Sequence, residues 1–209
     1  MRTLAGGGRS QTLADAIERE LAAGAGAIIS FGIAGALTSD LGPGALIAAS
    51  TVVGTAENFP VDARWTSALL RLLPEAIPAP LAGRDRVIAE PEAKSRLRVE
   101  TGASAVDMES HVAARLAAEH GLPFAALRAV ADPLTRTLPP AALIGLRADG
   151  GIDLHAVMRS LAQRPSQLQQ LFSIALDTRR ALRALGGARR LLGSRLGYAD
   201  LDELVLHVI

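Results

Sequence analysis

Carboxylates interrupt an otherwise apolar segment in the middle of the chain, between residues 104 and 133. Asp107 and Glu109 flank Met108, and Asp132 directly follows an apolar run. A carboxyl group in apolar surroundings has a raised pKa, and one that keeps its proton near neutral pH can serve as a general acid. Taken singly, each carboxylate also suits a plainer role, at a helix N-terminus for the first two and in a turn for the third.

Glycine-rich stretches form a second group of chemically suggestive residues. Gly6-Gly7-Gly8-Arg9 precedes a helical pattern, and Ser30-Phe31-Gly32-Ile33-Ala34-Gly35 contains the end of a short apolar run. Glycine allows a ligand to approach the backbone closely, and ligands of open α/β sheets bind beyond the carboxyl ends of the strands. These stretches are therefore candidates for the same site as the carboxylates.

The elements that would position these groups alternate along the chain. Short apolar runs predict strands, and apolar residues spaced three or four apart predict helices. The predicted strands are residues 27–32, 45–54, 85–90, 104–108 and 123–132, and the predicted helices lie within residues 6–24, 62–76, 91–102, 109–121 and the tail after His155. This alternation indicates an α/β fold of three layers, with helices on both faces of a mixed, mostly parallel central sheet. We expect the carboxyl ends of the strands at 27–32, 104–108 and 124–131 to face one pocket.

Composition limits the chemistry that is open to the chain. Its 209 residues fit one domain, residues 1–209, whose core must be aliphatic because 49% of the residues are hydrophobic and only 3% aromatic. The absence of cysteine excludes disulfides and cysteine nucleophiles, and the four histidines lack a spacing that suits a metal site. No run is long and apolar enough for a membrane span and no targeting segment opens the chain, so we expect a cytoplasmic location.

Positive charge is concentrated near the C-terminus. Residues 156–195 carry eight arginines against one acidic residue, Asp177, although the net charge of the chain is only +1. A solvated helix face and peripheral contact with an anionic membrane both explain this asymmetry. In either case we expect Leu168, Leu171 and Leu182 to pack inward, with exposed arginines at positions 179, 180, 183, 189 and 190.

Four motifs, by their order and spacing, resemble those of the purine phosphorylase and nucleosidase superfamily. They are Gly6-Gly7-Gly8-Arg9, Phe31-Gly32-Ile33-Ala34-Gly35, Asp107-Met108-Glu109-Ser110 and Arg128-Ala129-Val130-Ala131-Asp132. The resemblance covers residues 4–150, which would form the core of the domain, with a helical, arginine-rich part at 151–209. Within the superfamily, TGASAVDMESHVAARLAAEHGLPF and RAVADPLTRTLPPAAL look most like the hopanoid-associated phosphorylases, which are linked to the removal of adenine from adenosylhopane.

The resemblance implies a role for each of the main site residues. Glu109 would hold the ribose hydroxyls, and Met108 would make a soft apolar contact beneath the sugar. Asp132 would donate a proton or hydrogen bond to the imidazole part of the purine as the base leaves. Asp107 is not expected to touch the substrate. Further substrate-binding residues would be Ser30, Gly32, Ile33, Ala34 and Gly35.

Two departures from the family pattern affect the expected mechanism. Little sequence precedes the glycine turn, so the sheet is expected to lack the family's usual first strand, whose end contributes to the site. Ile33 also stands near a position where the phosphorylases often have a hydrogen-bond donor, so a phosphate would have to rest on backbone N–H groups, Ser30, Gly8 and Arg9. Either water or phosphate could then be the nucleophile, and inorganic phosphate would be a co-substrate, not a cofactor.

Three functions are consistent with the sequence. The first is release of adenine from a purine nucleoside-like substrate, with adenosylhopane as the leading candidate. The second is a methylthioadenosine or adenosylhomocysteine nucleosidase, and the third is a non-catalytic purine-binding member of the family. The family commonly forms dimers or larger rings, so we expect a homo-oligomer that binds a small nucleoside and no nucleic acid.

Overall fold

The structure of the protein is a computed structural model that describes residues 2–4, 6, 9–144, 159, 167–198 and 204–208. In this part of the chain, strands and helices alternate. The strands are β1 Arg2–Leu4, β2 Ala25–Ala36, β3 Leu46–Val53, β4 Asn58–Pro60, β5 Ile77–Gly83, β6 Ala105–Asp107, β7 Phe124–Asp132 and β8 Leu204–Val208. The helices are α1 Ser10–Ala22, α2 Ala63–Leu72, α3 Pro91–Thr101, α4 Ser110–Glu119, α5 Pro140–Ile144 and α6 Gln167–Leu192.

The eight strands form one mixed sheet around the long strand β2. This strand pairs in parallel with β7 and β8 and antiparallel with β6. Strand β3 pairs in parallel with β5 and antiparallel with β4 and β7, and β5 is parallel to β6. Because β7 joins β2 to β3, the strands β2, β6, β5, β3 and β7 close into a ring. Strand β1 is only three residues long and pairs with β8.

Helices cover both faces of the sheet, as expected for three layers. Neighbouring residues Ile28 and Ile29 on β2 point to opposite faces and belong to two separate hydrophobic clusters. The first cluster contains residues of α1 and α4, and the second contains residues of α2 and α6. The predicted α/β class with a mixed sheet is therefore confirmed.

The prediction of a strand at residues 85–90 is wrong. The strand of this region is β5, which lies earlier, at Ile77–Gly83. Its sequence, IPAPLAG, contains Pro78 and Pro80, and proline is depleted in strands because it cannot donate to a ladder. On β5, the residues that pair with β6 are Leu81–Gly83, so both prolines precede the part of β5 that has a strand on each side.

Helix α6 does not turn the predicted leucines inward. Leu168 is 62% exposed and Leu182 is 56% exposed, so the expectation that they are buried is wrong, whereas Leu171 is half-buried. The buried side of α6 instead follows a second series with helical spacing, which consists of Asp177, Ala181, Leu185, Ala188 and Leu192. The arginines at 179, 180, 183 and 190 are exposed as expected, and Arg189 is half-buried. Among the described helices, none is long and apolar enough to cross a membrane.

Candidate active site

A buried arginine organises the region around the predicted carboxylates. Arg128 on β7 is 1% exposed, and its Nε lies 2.5 Å from Oδ2 of Asp107. Its Nη2 donates hydrogen bonds to the hydroxyls of Ser30, at 2.5 Å, and Ser110, at 3.1 Å, and lies 3.8 Å from Oε2 of Glu109. A buried charge is tolerated only when it is paired and hydrogen-bonded, and these partners meet that requirement.

The two carboxylates on either side of Met108 have different surroundings. Oδ1 of Asp107 accepts a hydrogen bond from the backbone N–H of Ser110 at 3.1 Å, and Oδ2 accepts one from the hydroxyl of the same residue. Asp107 therefore fills the helix N-terminal role at α4 as well as pairing with Arg128. Glu109 makes no side-chain cap to this helix, and 18% of its side chain is exposed. Its Cγ packs against the backbone of Gly6, where an added Cβ would overlap it.

Asp132, at the end of β7, has its two oxygens in different environments. Oδ2 lies 2.6 Å from Nζ of Lys94, whose side chain is fully buried. Oδ1 is also buried but has no hydrogen-bond partner among the described residues. Burial raises the pKa of the Asp132 carboxyl, while the hydrogen bond and charge of Lys94 act in the opposite direction. A buried carboxyl with a raised pKa and one unused oxygen has the properties of a general acid.

Strand β2 lies between Asp132 and the Asp107–Glu109 segment. Gly35 is the register partner of Asp132 on β7 and of Val106 on β6, and an added Cβ on Gly35 would lie 3.5 Å from Oδ2 of Asp132. Two strand spacings of about 4.8 Å therefore separate the backbones of β7 and β6 at this level. Because β6 is antiparallel to β2, its carboxyl end runs back along β2, in the direction opposite to the carboxyl ends of β2 and β7.

The other predicted site residues lie along β2 and before α1. Ser30 is fully buried, and its hydroxyl contacts Arg128 and Ser110, whereas Ile33 is 41% exposed. Gly32 lies beside Arg128, because an added Cβ there would overlap Nη1. Arg9 is exposed and immediately precedes α1. Gly8, the other predicted phosphate-binding residue, lies outside the described residues.

Sequence reasoning missed the two cations that contact the carboxylates. Arg128 was part of a recognised motif but had no role assigned, because its partners Ser30 and Asp107 are far from it in sequence. Lys94 was treated only as a residue of a predicted helix. One feature of the sequence did distinguish it: Lys94 is the only lysine in the chain. In the described part of the chain, no cluster of three or more histidine, aspartate or glutamate residues could hold a metal ion.

Several solved structures share the fold. The Helicobacter pylori 5′-methylthioadenosine/S-adenosyl homocysteine nucleosidase has a TM-score of 0.56 and 20% identity over 76% of this chain and 74% of that chain. The S-adenosylhomocysteine nucleosidase of Streptococcus pyogenes has a TM-score of 0.55 and 20% identity over 84% of this chain and 71% of that chain. A futalosine hydrolase mutant of H. pylori has a TM-score of 0.52 and 22% identity. The match covers 58% of this chain and 63% of the length of that protein.

At these identities the solved structures establish the fold alone. No curated protein matches the chain. A family profile, that of the phosphorylase superfamily, matches residues 2–168. Because this match covers most of the chain, the protein belongs to the phosphorylase superfamily.

Proposed function

We propose that the protein cleaves the N-glycosidic bond of a purine nucleoside-like substrate and releases the base. The observation that carries this proposal is the arrangement of Asp132, with Oδ2 held by Lys94 and Oδ1 buried without a hydrogen-bond partner in the part of the chain that the structure describes. A group that protonates a leaving purine must carry a proton and direct it at the base, and a carboxylic acid with one oxygen unoccupied can do so. The raised pKa of Asp132 supports this role, because burial favours the protonated form of the carboxyl, which is the form that can donate.

Glu109 is the proposed partner of the sugar. Cleavage of an N-glycosidic bond passes through a sugar with oxocarbenium character, which a nearby carboxylate stabilises while it accepts hydrogen bonds from ribose hydroxyls. Asp107 is committed to Arg128 and to the start of α4, so it is not proposed to bind substrate. Met108, between the two carboxylates, would contact the apolar face of the sugar.

Adenosylhopane is the leading candidate for the substrate, with adenine as the released base. The motif resemblance supports it, and so does an apolar line on α6 formed by Leu168, Phe172 and Leu176, which are spaced four residues apart and exposed by 62%, 66% and 43%. The exposed residues Arg179 and Arg183 continue this line. An apolar face bordered by arginines suits an anionic membrane, where a lipid-bearing nucleoside would reside.

A methylthioadenosine or adenosylhomocysteine nucleosidase is the second candidate. The fold that the chain shares with the H. pylori and S. pyogenes nucleosidases is compatible with this activity. A non-catalytic purine-binding protein is the third. For either enzyme we propose water as the nucleophile, because Ser30 is fully buried against Arg128 and Ser110, and Ile33 offers no side-chain donor for phosphate.

Release of adenine from defined substrates tests these alternatives. The wild-type chain is incubated with methylthioadenosine, adenosylhomocysteine and vesicle-borne adenosylhopane, each with and without phosphate. Adenine release from adenosylhopane in excess over the two sulfur nucleosides, and independent of phosphate, is the expected result. Faster release from methylthioadenosine would favour the second candidate. Adenine binding with no release from any of the three would favour the third.

A further inference from the structure

The only lysine in this chain is one of its most completely buried side chains. Lysine and arginine together number 22 residues, and Lys94 is the sole lysine among them. It lies on α3 with 0% of its surface exposed, although burial of a cation is costly. Arginine occupies every other basic position. This exception indicates a requirement that arginine does not meet at position 94.

The surroundings of Lys94 match the geometry of an ammonium group. Its Nζ lies 2.6 Å from Oδ2 of Asp132, and it donates to the backbone carbonyls of Pro133 and Arg136, both at 3.0 Å. An ammonium group has three donors, so each has an acceptor. A guanidinium is larger, planar and forked, and it does not fit acceptors that converge on one point. The site is therefore built for a compact point charge.

Lys94 also determines which oxygen of Asp132 is available. Its Nζ occupies Oδ2, while Oδ1 is buried and none of the residues that the structure describes forms a hydrogen bond to it. The two carbonyls bound by Nζ belong to the segment that follows Asp132, so the ammonium fixes the carboxyl and the adjoining backbone together. This segment is also tied to α6, because Nη2 of Arg136 donates to the hydroxyl of Ser173 at 2.9 Å and to Oδ2 of Asp177.

We propose that Lys94 is a positioning residue for the general acid: it holds Oδ2 of Asp132 so that Oδ1 serves the leaving base, and its charge stabilises the carboxylate that forms there. This inference rests on the proposed function. As the C–N glycosidic bond breaks, its electron pair stays with the base, and the proton on Oδ1 passes to a ring nitrogen of that base. Water forms the new C–O bond to the sugar carbon and releases a proton to solvent. Asp132 becomes a carboxylate beside the ammonium, and it regains a proton from solvent after the base departs.

The charged groups around Asp132 give the proposal a pH signature. Lys94 faces it from α3, Arg136 from the following loop and Asp177 from α6, and the pKa of the carboxyl is raised chiefly by burial and lowered by Lys94. Loss of Lys94 would raise the pKa further and make Asp132 a weaker acid. A general acid is active below its pKa, so the alkaline fall of kcat/KM would move to higher pH. An opposite charge at this distance commonly shifts a pKa by about 1–3 units.

Kinetics of Lys94→Met test the proposal, with methylthioadenosine as the probe substrate. We expect kcat/KM on the plateau to fall by roughly 10-fold to 100-fold, a part of the usual contribution of a general acid. The alkaline limb should shift upward by about one unit or more. The matched control is Arg96→Met, which removes a cation from the exposed side of the same helix and should change neither quantity. In an Asp132→Asn background, Lys94→Met should add no further loss.

Several outcomes would overturn the proposal. If the alkaline limb of the kcat/KM profile does not shift in Lys94→Met, the lysine has a purely structural role. The same follows if the losses in kcat/KM of Lys94→Met and Asp132→Asn multiply in the double variant. Absence of adenine release by the wild-type chain on every nucleoside would refute the proposed function itself. The two failures are distinguishable. The proposed function fails if the wild type releases no adenine. The proposal about Lys94 fails if the wild type turns over substrate and Lys94→Met shows either an unshifted alkaline limb or a loss that multiplies with that of Asp132→Asn.

A second measurement does not require the Lys94 variant to fold. Selective isotope labelling of lysine places a single side-chain NMR signal in the protein, because Lys94 is the only lysine. We expect this signal to move in Asp132→Asn and to move when adenine is added to the wild type. A signal that moves neither in Asp132→Asn nor on addition of adenine would show that Lys94 does not act on Asp132.

Discussion

Replacement of Arg128 by methionine removes the cation from the buried cluster in the candidate site. The side chain of Arg128 is 2% exposed and that of Asp107 is 1% exposed, so the substitution strands a carboxylate in the interior. Breaking a buried pair from one side typically costs about 3–5 kcal/mol in the free energy of unfolding. For a chain of this length, each kcal/mol lowers Tm by roughly 2–4 °C, so the variant should melt about 6–20 °C below the wild type.

Urea and thermal unfolding of matched variants measure this effect. Arg128→Met combined with Asp107→Asn removes the stranded charge and should recover a large part of the lost stability. Arg115→Met serves as the control, because the pair between Arg115 and Glu119 is 2.7 Å long but about half exposed and should contribute at most about 0.5 kcal/mol. Equal destabilisation by Arg128→Met and Arg115→Met, or no recovery in the double variant, would refute the assignment of Arg128 as the centre of the cluster.

Three further predictions concern single residues. Glu109→Gln should lower kcat for base release by on the order of 10²–10³-fold with little change in Tm, since it removes the charge at the sugar site but keeps the shape of the side chain. An unchanged kcat in steady-state kinetics would contradict this. Gly6→Ala should lower kcat by displacing the side chain of Glu109. Gly42→Ala is the control and should not lower kcat, because an added Cβ there meets no atom of the described residues within 4 Å. Equal activity of the two variants would contradict the inferred contact between Gly6 and Glu109. The pKa of His207 is lowered to about 4, chiefly by burial. The free energy of unfolding should therefore fall as the pH drops from about 6.5, the ordinary pKa of histidine, towards 4. His207→Leu should flatten this dependence in urea titrations between about pH 4 and 8. If both proteins lose stability equally over that range, a different group is responsible.

Local patterns in the sequence were sufficient to predict most elements that carry the site. The apolar run at Phe124–Asp132 and the helix that ends at Gly102 were predicted because each depends on neighbouring residues, and Gly102 adopts the left-handed conformation that terminates α3. Strand β5 was missed because Pro78 and Pro80 weaken its local pattern, and only pairing with distant strands β3 and β6 specifies it. The orientation of α6 was also mispredicted, because its sequence contains two series of helical spacing and packing selects one of them.

The candidate site was predictable in its carboxylates but not in its cations. Asp107, Glu109 and Asp132 stand in motifs whose order can be read along the chain. Their partners Arg128 and Lys94 contact them through the fold, with Lys94 and Asp132 brought together from α3 and β7. These contacts give Asp107 and Glu109 different proposed roles. Asp107 is structural, because it is paired with Arg128 and hydrogen-bonded to the start of α4, and Glu109 is the proposed partner of the sugar. No periodicity in the sequence conveys such pairings.

Single-turnover release of adenine by Asp132→Asn tests the central claim most directly. The asparagine preserves the shape of the side chain but has no acidic proton, so we expect a fall on the order of 10²–10⁴-fold relative to the wild type on the same nucleoside. The variant should remain folded and should still bind adenine. Release at the wild-type rate would contradict the claim that Asp132 is the general acid.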